Sequence, residues 1–286
     1  MQIKKAVIPA AGFGTRMLPA TKAIPKELLT VVDKPGIQYV IEEAVAAGVT
    51  EVLVITGRGK GDIDDHFDRM PELEQVLAAK GRTRELEAVL KPARLAAMHY
   101  IRQQQALGLG HAVYCAKAFV GREPFFVLLP DDLIDGGPPC VAELFAAAQE
   151  GESVIAVQEV PWQDTRKYGV VSIDEATGLV RGIVEKPEPH EAPSNLAVVG
   201  RYLLQPVVFS CLEQITTGAG GELQLTDALA LMIKQGHKIR PCKFSGVRYD
   251  TGSPLGFLEA NVGMALARED MRESVRGMLL QLLRRG

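Results

Sequence analysis

From Ala6 to Leu129 the chain alternates short apolar runs with stretches of helical periodicity, and this alternation narrows the possible folds more than any other feature. Ala6-Val7-Ile8-Pro9-Ala10, Glu51-Val52-Leu53-Val54-Ile55-Thr56, Met98-His99-Tyr100-Ile101 and Phe125-Phe126-Val127-Leu128-Leu129 read as strands. A strand with one wet face alternates apolar and polar residues. An unbroken apolar run instead implies burial on both faces, the habit of a parallel sheet with helices on each side. Between the first two runs, Ile37, Val40, Ile41, Ala44 and Val45 fall at i, i+3, i+4, i+7 and i+8 of a helix, with Pro35 suited to its first turn and Gly48 to its end. Residues 62–90 read as a charge-rich helical excursion and 111–119 as a further helix. The order strand, helix, strand predicts an α/β fold with a Rossmann-like, mixed and mainly parallel sheet covered by helices.

The second half is richer in strands. Segments 153–159, 170–173, 179–184 and 197–203 have strand character, with Thr177-Gly178 as a turn between two of them. Helices are predicted over 207–215 and 224–234, and a strand over 239–244. Met271, Val275, Met278, Leu279 and Leu282 form a stripe at helical spacing near the end. The simplest organisation is one domain with a β-rich insertion and a helical tail. Charge excludes some partners: 32 Lys and Arg against 35 Asp and Glu leave a net −3, which gives no general attraction to nucleic acid or anionic lipid. No apolar run approaches the roughly 18 residues of a membrane span, and the opening residues carry no cleavable leader pattern. Cys115, Cys140, Cys211 and Cys242 fit no zinc spacing and sit among apolar neighbours. They read as reduced thiols, which points to the cytoplasm.

Polar chemistry is densest directly after the first strand, in Ala11-Gly12-Phe13-Gly14-Thr15-Arg16-Met17-Leu18-Pro19-Ala20-Thr21-Lys22-Ala23-Ile24-Pro25-Lys26-Glu27. Ligands of open α/β sheets bind at such strand ends. Gly12 and Gly14 let backbone approach a phosphate chain, exposed N–H groups can cradle its oxygens, and Arg16 and Lys26 add positive charge. A dinucleotide fingerprint needs a third glycine where this chain has Met17, and a Walker loop needs Gly-Lys-Ser/Thr, which is missing.

The whole string resembles the signature of the sugar-1-phosphate nucleotidylyltransferases, and further segments extend the likeness over nearly the entire chain. They are Asp33-Lys34-Pro35, Gly108-Leu109-Gly110-His111-Ala112, Leu129-Pro130-Asp131, Tyr168-Gly169-Val170-Val171, Glu185-Lys186-Pro187, Pro193-Ser194-Asn195-Leu196-Ala197, Gly200-Arg201-Tyr202, Glu222-Leu223-Gln224-Leu225-Thr226-Asp227 and Tyr249-Asp250-Thr251-Gly252. The Ser-Asn-Leu-Ala and Gly-Leu-Gly-His-Ala segments favour the uridylyl branch. The resemblance implies that UTP and glucose 1-phosphate give UDP-glucose and pyrophosphate, by attack of a sugar-phosphate oxygen in line on the α-phosphorus. It implies Arg16 and Lys26 as catalytic cations on the nucleotide phosphates. Ala11, Gly12, Gly14, Thr15, Gln103 and Gly108 would bind the nucleotide. Gly169, Glu185 and Lys186 would bind the sugar phosphate, and Asp131 and Asp250 would hold Mg²⁺. The expected division is a nucleotide-binding half at 1–135, a sugar-binding half at 136–252 and a helical tail at 253–286, whose apolar stripe lies beyond the last matched motif and is expected to join subunits of a homodimer or homotetramer. The alternatives are a thymidylyltransferase acting on the same sugar phosphate and a non-catalytic nucleotide-sugar-binding regulator.

Several neighbours have plainer readings. Asp132 points away from Asp131 if both lie on a strand, so it reads as a supporting or turn residue. His111 reads as structural, since an ionised phosphate needs no general base. His99 alternates with apolar residues and reads as strand surface. Trp162 reads as an anchor of the insertion. Gln103-Gln104-Gln105 leaves the register of the base-reading Gln open, and Gly108 and Gly110 are expected to let the base lie against backbone.

Overall fold

A computed structural model describes residues 2–216 and 221–285. We number the principal strands β1 (Lys5–Ala10), β2 (Glu51–Thr56), β3 (Ala97–Arg102), β4 (Phe125–Leu128), β5 (Asp132–Asp135), β6 (Ser153–Glu159), β7 (Gly169–Ile173), β8 (Val180–Glu185), β9 (Leu196–Leu204), β10 (Ile239–Lys243) and β11 (Val247–Asp250). One nine-stranded sheet runs β8-β7-β9-β4-β1-β2-β3, with β6 paired to β9 and β10 to β6. β4, β1, β2 and β3 are parallel, as the apolar runs require. β9 lies antiparallel to β4 and joins the β-rich half to the parallel half.

The period of two divides the core. Ile8, Val52, Val54, Phe126 and Leu128 enter one apolar cluster, together with the Gly36–Ala46 helix. Val7, Leu53, Ile55, Phe125 and Val127 enter the other, on the opposite face, with the Val207–Gln214 and Leu225–Lys234 helices. Burying both faces of these strands gives roughly 1.5–3 kcal/mol per large side chain, and it fixes register because a one-residue slip would exchange the two clusters.

Two helical expectations change. The 111–119 helix is two pieces, Leu109–Tyr114 and Lys117–Val120, and the excursion is three helices, Asp62–Phe67, Pro71–Ala79 and Thr83–Leu90. In the terminal Arg272–Leu283 helix only Val275 of the stripe is buried, while Met278 and Leu282 are about half exposed. Apart from Val275 the stripe is therefore left partly or largely exposed. No helix among the described residues is long and apolar enough to cross a membrane, and all four cysteines are free.

Candidate active site

Because β1, β2 and β4 run parallel, their carboxyl ends open on one edge, and the segments that follow them meet there. The loop after β1 carries Ala11 to Lys26. The loop after β2 lies directly against it: a Cβ on Gly57 would sit 2.9 Å from the Ala11 carbonyl oxygen. β5 begins just after β4 and pairs with β11 in a separate two-stranded ribbon, Asp132 opposite Asp250. That register brings Asp250 beside Asp131. The Thr251 N–H and hydroxyl both donate to the Asp131 carbonyl, at 2.8 and 3.0 Å.

Two cavities adjoin on this edge. The first, of about 390 Å³, is lined by Ala11, Gly12, Thr15, Lys26, Gln103, Gly108 and Asp131 among others. The second, of about 480 Å³, is lined by Arg16, Lys26, Asp131, Gly169, Glu185, Lys186 and Asp250 among others. Lys26 and Asp131 belong to both and mark the junction. A larger cavity of about 650 Å³ lies elsewhere, but its cations are already matched: Lys34 and Lys91 to Glu42, and Arg268 to Asp33.

At the junction Lys26 Nζ donates to Asp131 Oδ2 at 2.6 Å, and an Arg16 nitrogen lies 4.0 Å from the same oxygen. Burial disfavours the charged forms of both partners, yet each charge outweighs that penalty for the other. Lys26 is raised above the ordinary lysine value, and Asp131 is held below the ordinary carboxyl value. Both stay ionised at neutral pH. Asp250 Oδ1 and Asp131 Oδ2 lie 3.0 and 3.2 Å from the point where a Cβ on Gly252 would stand. Two hard oxygens close together suit a cation that completes its coordination with water and substrate phosphate, as Mg²⁺ does. Among the described residues no group of three or more His, Cys, Asp or Glu could hold a metal without such help.

Asp132 does not point away as expected: it too lines the second cavity, directly opposite Asp250 across the ribbon. It is buried, accepts the Gly200 N–H at 2.9 Å, and forms an ion pair with Arg248. Arg248 lines the second cavity and lies against the Tyr168 ring, 5.1 Å from its centroid. Neither its partner nor its place is readable from spacing.

The second cavity has its own polar core. Glu185, at the end of β8, accepts the Thr226 hydroxyl, and Lys186 Nζ sits 3.3 Å from the other Glu185 oxygen. Lys186 adopts φ +46° although it precedes Pro187, where an extended backbone is favoured. Such a conformation costs on the order of 1–3 kcal/mol and persists where surroundings enforce it, often at functional sites. Here the Lys186 N–H donates to the Tyr168 carbonyl at 2.9 Å. Gly169 is small for a reason: a Cβ there would meet Thr226 at 3.1 Å and Glu185 at 3.4 Å.

One residue of the glutamine run faces the first cavity. Gln103 is buried and lines it, whereas Gln104 and Gln105 are exposed. Both amide protons of Gln103 are engaged, one by the Gly108 carbonyl at 3.0 Å and one by His111 Nδ1 at 2.9 Å. Its oxygen remains as the acceptor for a ligand N–H. His111 is thus structural, as expected, and it orients the Gln103 amide. Gly108 and Gly110 are also small for a reason not expected from sequence. They let residues 222–224 pack against them: a Cβ on Gly108 would lie 2.7 Å from Glu222 Cβ, and one on Gly110 would lie 2.8 Å from the Leu223 carbonyl oxygen. Gly14 does not line the cavity. At φ +67° it turns the loop, and its carbonyl accepts the Thr21 hydroxyl at 2.8 Å. Trp162 does not anchor the insertion either, being 52% exposed. His99 lies at the strand surface against Phe119, as expected.

Comparison with known proteins agrees with this geometry. The family model for nucleotidyl transferases matches residues 5–266. A UTP–glucose-1-phosphate uridylyltransferase of Bacillus subtilis is 47% identical over 278 residues, covering 96% of this chain and 95% of that protein. A UTP-bound UGPase structure from Acinetobacter baumannii superposes with a TM-score of 0.90 at 39% identity, over 98% of this chain and 100% of that one. A UDP-glucose pyrophosphorylase complexed with UDP-glucose gives 0.84 at 40% identity, over 93% and 100%. With nearly its whole length matched in sequence and in backbone course, the chain belongs to the nucleotidyl transferase family.

Proposed function

We infer that this chain transfers the uridylyl group of UTP to glucose 1-phosphate, giving UDP-glucose and pyrophosphate. The observation that carries this reading is the pair of cavities meeting at Lys26 and Asp131. Such a site holds two substrates with one shared reacting point. In our reading UTP takes the first cavity, with uracil against Gln103 and the phosphates over Ala11, Gly12 and Thr15. A Cβ on Gly12 would meet no protein atom within 4 Å, which leaves that space to a ligand. Glucose 1-phosphate takes the second cavity, with sugar hydroxyls on Glu185, which offers two acceptor oxygens, and the phosphate on Lys186. Glu222 lines both cavities, so the proposed nucleotide half at 1–135 borrows one wall from the proposed sugar half at 136–252.

The chemistry asks for positioning and charge neutralisation. An oxygen of the sugar phosphate forms a bond to the α-phosphorus of UTP as the bond to the β-phosphate oxygen breaks, and pyrophosphate leaves with that electron pair. Lys26 and Arg16 neutralise the phosphates and the leaving group. Mg²⁺, held by Asp131 and Asp250, would offset the negative charge of the two approaching substrates. Release of pyrophosphate from UTP plus glucose 1-phosphate, compared with dTTP and with Mg²⁺ omitted, tests the reading. Equal turnover of dTTP would place the chain on the thymidylyl branch.

Lys186→Ala is expected to raise KM for glucose 1-phosphate far more than KM for UTP. A hydrogen bond from a charged donor is worth roughly 1.5–3 kcal/mol, which is about 10- to 150-fold. Unchanged kinetics for glucose 1-phosphate would remove Lys186 from the sugar side.

We also propose that the chain works as a homodimer or homotetramer in the cytoplasm. The exposed Met278 and Leu282 of the last helix support the first point and the free thiols the second. Ultracentrifugation of a chain ending at Glu269 should show fewer subunits per particle than the full chain. An unchanged subunit number would exclude this helix as the subunit contact.

A further inference from the structure

Lys60 belongs to neither cavity, yet it is 8% exposed and its ammonium has three acceptors. They are the Ala10 carbonyl at 2.5 Å and the two Glu27 oxygens at 2.9 and 2.8 Å. A lysine has three N–H donors, so Lys60 has none left for a substrate. Its acceptors come from the two flanks of one loop. Ala10 is the last residue of β1, and Glu27 shares a 3-10 turn with Lys26. Everything between is the phosphate-facing segment with Gly12, Thr15 and Arg16. The bonds within that segment are local: Met17 N–H to the Gly14 carbonyl, Leu18 N–H to Thr15, Lys22 N–H to Pro19, and the Thr21 hydroxyl to Gly14. None of these joins its beginning to its end. Glu27 is 2% exposed, so its carboxylate has little access to water as an alternative partner. Gly57, in the same loop as Lys60, packs on Ala11.

We propose that Lys60 is a positioning residue, one ammonium that clamps the start of the phosphate loop to the turn bearing Lys26 and so sets the distance between the loop amides and the catalytic cation. The kinetic part of the test rests on the uridylyl-transfer reading; the proposal itself does not.

The variants are Lys60→Met and the double change Lys60→Met with Glu27→Gln. Displacing reacting groups by about 1 Å costs on the order of 100-fold, so Lys60→Met should lower kcat/KM for UTP by about that factor. KM for glucose 1-phosphate should stay within about twofold, because Glu185, Lys186 and Thr226 do not touch the clamp. Hydrogen exchange followed by mass spectrometry should show peptides covering 11–25 exchanging at least about tenfold faster, with β1 unchanged. Lys60→Met alone lowers Tm because it strands a buried carboxylate. The double variant regains most of that Tm but keeps both the UTP defect and the fast exchange. That separation distinguishes positioning from mere stability. Two results would overturn the proposal: exchange at 11–25 that does not change, or a UTP defect that disappears when Tm is restored. If the wild-type protein made no UDP-glucose, the functional reading would fall, and the exchange result alone would decide the role of Lys60.

Discussion

Asp131→Asn should lower kcat by about 10²–10³-fold, comparable to removing a group that stabilises charge only in a transition state. The substitution keeps the shape of the side chain and removes its charge. Asp250→Asn should do the same, because its oxygen and that of Asp131 both lie against Gly252. If the two act as one metal-holding unit, the double variant should be little worse than the worse single one. The Lys26–Asp131 contact adds a sharper expectation. With Asn at 131 the ammonium of Lys26 loses its carboxylate partner and is freer to meet phosphate. UTP measured without divalent metal should therefore bind at least as tightly to Asp131→Asn as to the wild type. Near-normal kcat at limiting Mg²⁺ in either single variant would exclude the shared role. Effects that simply multiply in the double variant would mean two independent roles.

Arg201→Met is expected to produce the largest loss of stability. Arg201 is fully buried in β9. It makes a forked ion pair with Glu43 and donates to the carbonyls of Leu129, Gly200 and Asp132. The guanidinium thus holds the Leu129–Asp132 segment, on which Asp131 stands, against the Gly36–Ala46 helix that carries Glu43. Removing one partner of a buried pair costs roughly 3–5 kcal/mol. For a chain of this size each kcal/mol moves Tm by about 2–4 °C, so Tm should fall by on the order of 10 °C. Thermal unfolding followed by circular dichroism checks this. A fall under about 3 °C, less than roughly 1 kcal/mol on the same scale, would mean that the segment is held by other contacts. Replacing Glu43 as well, by an apolar residue, should recover much of the loss.

The frame of the fold is legible in the sequence because its signal is local. Phe125 to Leu128 cannot face water on either side, so a sheet covered on both faces follows from the run itself, though not that β4 pairs parallel with β1 and antiparallel with β9. Within the site, Lys26, Asp131, Glu185 and Lys186 stand out because each lies in a short segment with a recognisable neighbourhood. Lys60 and Arg248 do not, and Arg201 and Thr226 lie in matched segments that leave their partners unread. Each acts through a partner far along the chain, and only the fold brings the two together: Arg248 meets Asp132 because β11 lies on β5. Gly108 and Gly110 suggest ligand contact when read in sequence, and the fold adds a close approach by residues 222–224. A glycine marks that something comes near without identifying it. Trp162 misleads for a similar reason, since side-chain size alone does not say which surface will cover it.

The β5–β11 ribbon bears on how the protein comes into being. During synthesis β1 through β4 emerge first, and with them the phosphate loop, Lys60, Lys26 and then Asp131. Asp250 is made far later, and its place is fixed only when β11 closes onto β5. Closing so long an interval is entropically expensive, though the cost grows only as the logarithm of loop length. A nascent chain stopped between Asp131 and β11 therefore contains Lys26 and Asp131 but lacks the second acidic side chain, and one stopped before β9 also lacks the Arg201 that holds the Asp131 segment. On the proposed metal role of Asp250, catalytic competence would then arrive late in translation, once β11 is made.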